Sequence, residues 1–141
     1  MHKDLLEQSK PFGIIMLDVN GLKYVNDKCG HESGDKLLVQ AADTISRCVR
    51  KTDYVFRFGG DEFVVLVPGG TIKDLHAIYA RIKAQNQDLS PGCPVGLNLS
   101  VGGCSSLETD NPWEVLNCAD EKMYKDKRNF YENDGAALKR E

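Results

Sequence analysis

The sequence has no apolar run long enough to cross a bilayer: its longest stretches, such as Phe63 to Pro68, fall far short of the roughly 20 residues a spanning helix needs. It has no basic excess either. With 18 Lys and Arg against 21 Asp and Glu, a net charge of −3 gives no overall field for a nucleic acid polymer. An anionic partner must therefore be small and met by local cations or a metal. No C-x-x-C pair is present. The five cysteines, Cys29, Cys48, Cys93, Cys104 and Cys118, suggest neither a disulfide framework nor a zinc ribbon and are expected as reduced core or surface thiols. The N-terminal MHKDLLEQSK is mixed in charge and lacks an apolar h-region, which argues against a signal peptide and for a cytoplasmic location. No internal repeat, low-complexity tract or interdomain linker interrupts the chain.

What is present is an ordinary folding composition, 41% hydrophobic and 28% charged over 141 residues, which fits one domain with one core. Phe12 to Leu17 is a continuous apolar run that delivers Asp18 at the C-terminal end of a buried strand. Residues 22–28 suit one or two helical turns. Gly30 to Asp35 reads as a loop whose Asp35 caps a helix carrying Leu37, Leu38, Ala41, Ile45, Cys48 and Val49 on one face. Tyr54 to Phe58 and Phe63 to Val67 form a hairpin closed by Gly59 and Gly60. Leu75, Ile78, Tyr79 and Ile82 recur at helical spacing, Leu97 to Gly102 alternates like a strand, and Pro112 opens a helix reaching about Lys127. This order predicts an α/β (α+β) fold with a ferredoxin-like, mainly antiparallel sheet flanked by helices. The core spans about residues 12–130, with a loosely structured tail over about 133–141.

The hairpin RFGGDEFVV puts Asp61 and Glu62 where the backbone is most permissive. In this topology the first strand and the hairpin are neighbours, so Asp18 and Asp61 can converge. Close carboxylates repel one another unless a divalent cation neutralises them, and carboxylates with water and substrate phosphates are what Mg²⁺ prefers. The paired glycines let a phosphate ester or ribose approach the backbone.

These residues resemble the signature of the GGDEF family of diguanylate cyclases. Upstream, Asp18-Val-Asn-Gly-Leu-Lys-Tyr-Val-Asn-Asp-Lys-Cys-Gly-His-Glu-Ser-Gly-Asp35 is similar to that family's second motif. Downstream, Leu99-Ser-Val-Gly102 and Ala119 to Lys127 match its last strand and helix. The resemblance implies a nucleotidyl-cyclase palm and a reaction in which two GTP molecules, held by a homodimer, condense to cyclic di-GMP and two pyrophosphates. It assigns Mg²⁺, or Mn²⁺, to Asp18, Asp61 and the Val19 carbonyl, and catalysis to Gly60, Asp61 and Glu62. It gives guanine reading to Asn26 and Asp35, and phosphate contacts to Lys23, Lys127 and the backbone at Gly21 and Leu22. Arg50, Asp53 and Arg81 match a product-inhibition site for cyclic di-GMP. His31 is expected to be structural in its turn, and Trp113 to pack.

Two departures stand out. The family usually opens with D-x-L-T-G-L-x-N-R and a full helix, so the resemblance implies an N-terminally truncated domain, tethered through a missing upstream region. After Lys127 the family often has x-x-G-R-N, whereas Arg128-Asn129-Phe130-Tyr131 follows here, leaving Arg128 as the nearest substitute for a second phosphate-binding arginine. A catalytically silent receptor for GTP or cyclic di-GMP is the alternative that the same motifs allow.

Overall fold

A computed structural model describes residues 11–133 except Ser90, together with Gly135 and Leu138. The N-terminal segment MHKDLLEQSK therefore lies outside the described residues, as does most of the tail. Of that tail, Leu138 is buried in the main core.

The elements follow the order strand β1 (Phe12–Val19), helices α1 (Leu22–Cys29) and α2 (His31–Cys48), strands β2 (Tyr54–Arg57) and β3 (Glu62–Pro68), helix α3 (Ile72–Ala84), strand β4 (Leu99–Ser105) and helix α4 (Glu114–Asn133). The sheet order is β2-β3-β1-β4, and every neighbouring pair is antiparallel. This is the ferredoxin-like arrangement expected from the element order.

Side-chain alternation along β1 sorts the residues between two layers. Ile15, Leu17 and Val19 join the large core beneath α1, α2 and α3, while Met16 joins a smaller core with Val115, Ala119 and Met123 of α4. Asp18, two residues beyond Met16, thus faces the α4 side. Because β1 is central and covered on both faces, its sequence reads as an unbroken apolar run rather than an alternating one.

The segment Gly30 to Asp35 is not a loop. Gly30, with φ of 93°, breaks the chain between α1 and α2, and α2 begins at His31 without a side-chain cap. Asp35 lies in the second turn, exposed, and does not cap this helix; its polar neighbours occupy the solvent face of an amphipathic helix. His31 opens that helix. Strand β4 also runs past Gly102 to Ser105, because Gly102, which argues against a longer strand, admits α4 at close range. Trp113 does not pack: it is 87% exposed in the turn before α4.

The expectation of five free thiols is corrected at Cys29 and Cys93, which are disulfide-bonded with Cα atoms 6.0 Å apart. Local spacing gave no sign of the pair because 64 residues separate the two cysteines and only the tertiary fold brings them together. The bond joins the end of α1 to the 85–98 connection, where Gly92 N–H also donates to Tyr24 Oη at 2.8 Å. Closing a loop of that length stabilises by about 4 kcal/mol, so dithiothreitol should lower the melting temperature by roughly 15 °C. A Cys93→Ser variant should melt at the lower temperature with or without reductant. Equal melting of the oxidised and reduced wild type would contradict this account.

Candidate active site

Strand β1 ends beside the β2–β3 hairpin, and their register pairs Asp18 with Glu62. Val19 N–H donates to the Asp61 carbonyl at 2.9 Å, which fixes the loop acid against the strand end. The hairpin itself is held by Phe58 N–H on the Glu62 carbonyl at 2.8 Å. Arg57 stabilises its outer side by donating to the carbonyls of Gly59 and Gly60 at 3.2 and 2.7 Å. The result brings carboxylate oxygens of Asp18, Asp61 and Glu62 within 4.8 Å of one another.

Asp18 is the strained member of this trio. Its side chain is 4% exposed, Lys127 Nζ donates to Oδ2 at 3.1 Å, and Oδ1 is buried with no hydrogen-bond partner among the described residues. Burial raises its pKa to about 7, and the neighbouring Asp61 adds to the rise; Lys127 pulls the other way without cancelling them. For Lys127, burial favours the neutral amine, but the charge and hydrogen bond of Asp18 outweigh it and hold the pKa above the ordinary lysine value. A buried, unsatisfied carboxylate oxygen facing two further acids is a donor set that fits a hard divalent cation.

Beside the acids lies a cavity of about 410 Å³ lined by Asp18, Val19, Asp61, Gly21, Leu22 and Lys23 on one side and Lys127, Arg128 and Tyr131 on the other. The turn into α1 forms one wall. Gly21 takes φ of 79°, a conformation suited to glycine, and caps α1 without any side-chain acceptor for the first-turn amides. Lys23 and Asn26 are three residues apart on α1 and share a face. Asn26 occupies the space that a side chain on Gly34 would need, next in sequence to Asp35. Asn26 thus packs over Gly34, but neither it nor Asp35 lines the cavity of the acids; Asp35 borders a separate surface cleft with Arg57 and Phe63.

Arg50, Asp53 and Arg81 sit elsewhere. Arg50 forms a forked pair with Asp53, whose side chain is fully buried, and also donates to the Pro68 carbonyl at 3.0 Å. Arg81 Nε donates to the Cys48 carbonyl at 2.8 Å. Pro68 pairs with Phe12, six residues along β1 from Asp18, so this cluster lies roughly 20 Å from the acids at the other end of the sheet.

Two contributors escaped the sequence reading. Asn20, 1% exposed, donates to Asn98 Oδ1 at 2.8 Å and accepts from Ser100 Oγ at 2.9 Å, fastening the post-β1 turn to β4. Its signal was the D-x-N spacing of residues 18–20. Tyr131 Oη accepts from Gly21 N–H at 2.8 Å across 110 residues of sequence, a contact no local pattern announces.

The family profile described as diguanylate cyclase, GGDEF domain, matches residues 1–133. Among curated relatives, diguanylate cyclase DgcS of Shewanella oneidensis is 36% identical over 124 residues, covering 84% of this chain and 40% of the relative. Diguanylate cyclase DosC of Escherichia coli K12 is 30% identical over 122 residues, covering 84% of this chain and 26% of DosC. The chain thus spans well under half the length of these relatives. Among solved structures, the GGDEF domain of YfiN (TpbB) from Pseudomonas aeruginosa superposes with a TM-score of 0.70 at 34% identity, covering 90% of this chain and 82% of that one.

Proposed function

We propose, since the chain belongs to the GGDEF family of diguanylate cyclase domains, that it binds GTP and, as one half of a homodimer, condenses two GTP molecules into cyclic di-GMP. The observation that carries this reading is the convergence of Asp18, Asp61 and Glu62 beside a cavity walled by Lys23, Lys127 and Arg128. Acids interleaved with cations suit a substrate that is itself polyanionic yet must be attacked at phosphorus.

In each half-reaction the 3′-oxygen of one nucleotide bonds to the α-phosphorus of the other. The bond from that phosphorus to the α–β bridging oxygen breaks, and its electron pair leaves with pyrophosphate. Glu62, half-buried and without a side-chain partner among the described residues, receives the hydroxyl proton. Asp18, the Val19 carbonyl and Asp61 would hold Mg²⁺, or Mn²⁺ in its place, and the bound ion supplies neutralising charge for the oxyanions of attack and departure. Gly60 leaves open space for the sugar-phosphate backbone of the second nucleotide. Lys23 and Lys127 contact phosphate oxygens, with the α1 amides behind them. Asn26 and Asp35 read the guanine edge: a carboxylate that accepts from N1–H and the exocyclic amine leaves adenine's partners unpaired. Arg50, Asp53 and Arg81 bind product, at a distance from the acids that requires inhibition to act by holding domains apart rather than by blocking substrate.

Incubation with GTP and Mg²⁺ should yield cyclic di-GMP and pyrophosphate in a 1:2 ratio by mass spectrometry and phosphate assay. Because two sites must face each other, fusion to a dimeric coiled coil should raise the rate by roughly 100-fold at low micromolar protein. GTP bound but unconverted in both the free and the fused forms would instead establish a nucleotide receptor.

A further inference from the structure

The 85–98 connection reaches out along α1 and returns, like a strap laid over the helix. At the start of α1, methyl carbons of Leu89 and Val95 lie 3.4 and 3.9 Å from where a β-carbon on Gly21 would sit. Midway, Gly92 N–H donates to Tyr24 Oη at 2.8 Å. At the far end, Cys93 is bonded to Cys29, the last residue of α1. The strap is thus tied at three points to the helix that bears Lys23 and Asn26. Only the tie at Cys29 is covalent.

That tie is open to solvent. Pro91, Gly92, Cys93 and Pro94 at the tip of the strap are exposed, and Cys29 is half-buried. Beside the bond lies a cavity of about 660 Å³, bordered by both cysteines and by Ser33, Lys36 and Gln40 of α2. Such a volume admits a small thiol, and Lys36 on its wall attracts the anionic thiolate that does the attacking. The free thiols of Cys48 and Cys104, by contrast, are buried. Disulfides within reach of solvent are the ones that exchange with thiols, whereas enclosed ones resist reduction and act as staples.

We propose that Cys29–Cys93 is a site of thiol–disulfide exchange with a dithiol reductant, and that its oxidised state tightens nucleotide binding by holding α1 in place. A thiolate of the dithiol bonds to Cys93 Sγ. The Cys29–Cys93 bond breaks, and its electron pair leaves on Cys29 Sγ, which takes up a proton. The second thiolate of the reductant then bonds to its first sulfur and expels Cys93 as a thiolate, protonated in turn. The protein gains two electrons and two protons, and the dithiol becomes a disulfide. The Gly92–Tyr24 hydrogen bond and the Leu89 and Val95 contacts remain, so α1 loses rigidity without losing its fold. A nucleotide must then order the helix as it binds, which lowers affinity. The coupling to nucleotide rests on the GTP reading above and adds a control to it; the exchange itself does not.

Oxidised and dithiothreitol-reduced wild type would be titrated with guanosine 5′-[α,β-methylene]triphosphate and Mg²⁺ by calorimetry in the cold, well below either melting transition. Reduction should weaken binding about tenfold. Linkage demands the converse: a saturating analogue should raise about tenfold the ratio of reduced to oxidised dithiothreitol that opens half of the Cys29–Cys93 bonds, read by mass spectrometry of alkylated thiols. The double variant Cys29→Ala, Cys93→Ala should bind like reduced wild type and ignore the reductant. A double variant that still responds to reductant places the effect on another cysteine and overturns the proposal. Equal affinity in the two states, or tighter binding on reduction, overturns it as well and leaves the GTP reading intact. A bond that dithiothreitol cannot open in the folded protein, or a reduced protein whose circular dichroism shows it unfolded in the cold, marks a structural staple and overturns it too. Oxidised wild type that binds no analogue would overturn the GTP reading, and the control of binding with it.

Discussion

Asp18→Asn is expected to give a domain that is inactive yet more stable than the wild type in metal-free buffer at pH 8. In the absence of a cation, the Asp18 carboxylate is buried beside Asp61 with one oxygen unpartnered among the described residues, and its pKa is raised to about 7 from the ordinary 3.8. A carboxyl whose folded pKa exceeds its unfolded value binds its proton more tightly when folded. That contribution to stability is fully present below pH 4 and is lost as pH climbs through 7, amounting to roughly 4 kcal/mol at most. Wild-type protein in EDTA should therefore melt progressively lower between pH 4 and pH 8. Asparagine cannot ionise, and its amide can donate to Asp61, so the variant should lack this decline.

Adding Mg²⁺ should reverse the order. The wild type gains stability by mass action on whatever binds only the folded state, while the variant, short of one anionic oxygen, gains little. Turnover of GTP should fall by about a thousandfold or more, since such a site accelerates the reaction chiefly by stabilising the charge that develops around phosphorus. Melting curves across pH, with and without Mg²⁺, would decide the matter. A variant that is less stable than wild type at pH 8 in EDTA, or that retains the Mg²⁺ response, would show that Asp18 is not the destabilised ligand described here.

This tension between stability and function explains which parts of the site were legible in the sequence. Asp18 and Asp61 were visible because each stands at a boundary that local chemistry marks, one at the end of an apolar run and the other after paired glycines. Their convergence followed from strand order, and the sheet has that order. The 30–35 segment was misjudged because glycine and a cluster of polar residues signal a turn, yet one residue of positive φ suffices to separate two helices, and the polar side chains simply cover the outer face of the second. Cys29–Cys93 and Tyr131–Gly21 were invisible for a shared reason: contacts spanning 64 and 110 residues depend on how layers stack, which periodicity does not encode. Asn20 falls between these cases, marked by its spacing from Asp18 but given its purpose only by β4.

Layer stacking also underlies the expected effect of Gly102→Ala, a loss of about 3 kcal/mol, or roughly 10 °C in melting temperature. Gly102, midway along the edge strand β4, pairs with Met16 and faces α4. A β-carbon there would meet the Met123 amide, the Ala119 carbonyl and, at 2.7 Å, the Lys122 carbonyl carbon, all of them helix backbone. Backbone cannot rotate aside as a side chain can, so α4 as a whole must lift from β4. The helix is anchored by Asp126, which accepts from Val101 N–H at 2.9 Å and from Lys83 at 2.7 Å, and lifting strains both contacts. One and two turns past Met123, the same displacement carries Lys127 away from Asp18 and Tyr131 from Gly21. GTP binding should therefore weaken along with stability, although position 102 lines a different part of the fold. Gly103→Ala is the matched control. Its β-carbon would point to the opposite face, where the nearest atom is Ile15 Cγ1 at 3.4 Å, and a flexible side chain can give; its cost should stay within about 1 kcal/mol. Equal melting temperatures for the two variants would mean that α4 does not sit on Gly102 as described, and the route by which α4 places Lys127 over the acids would need to be redrawn.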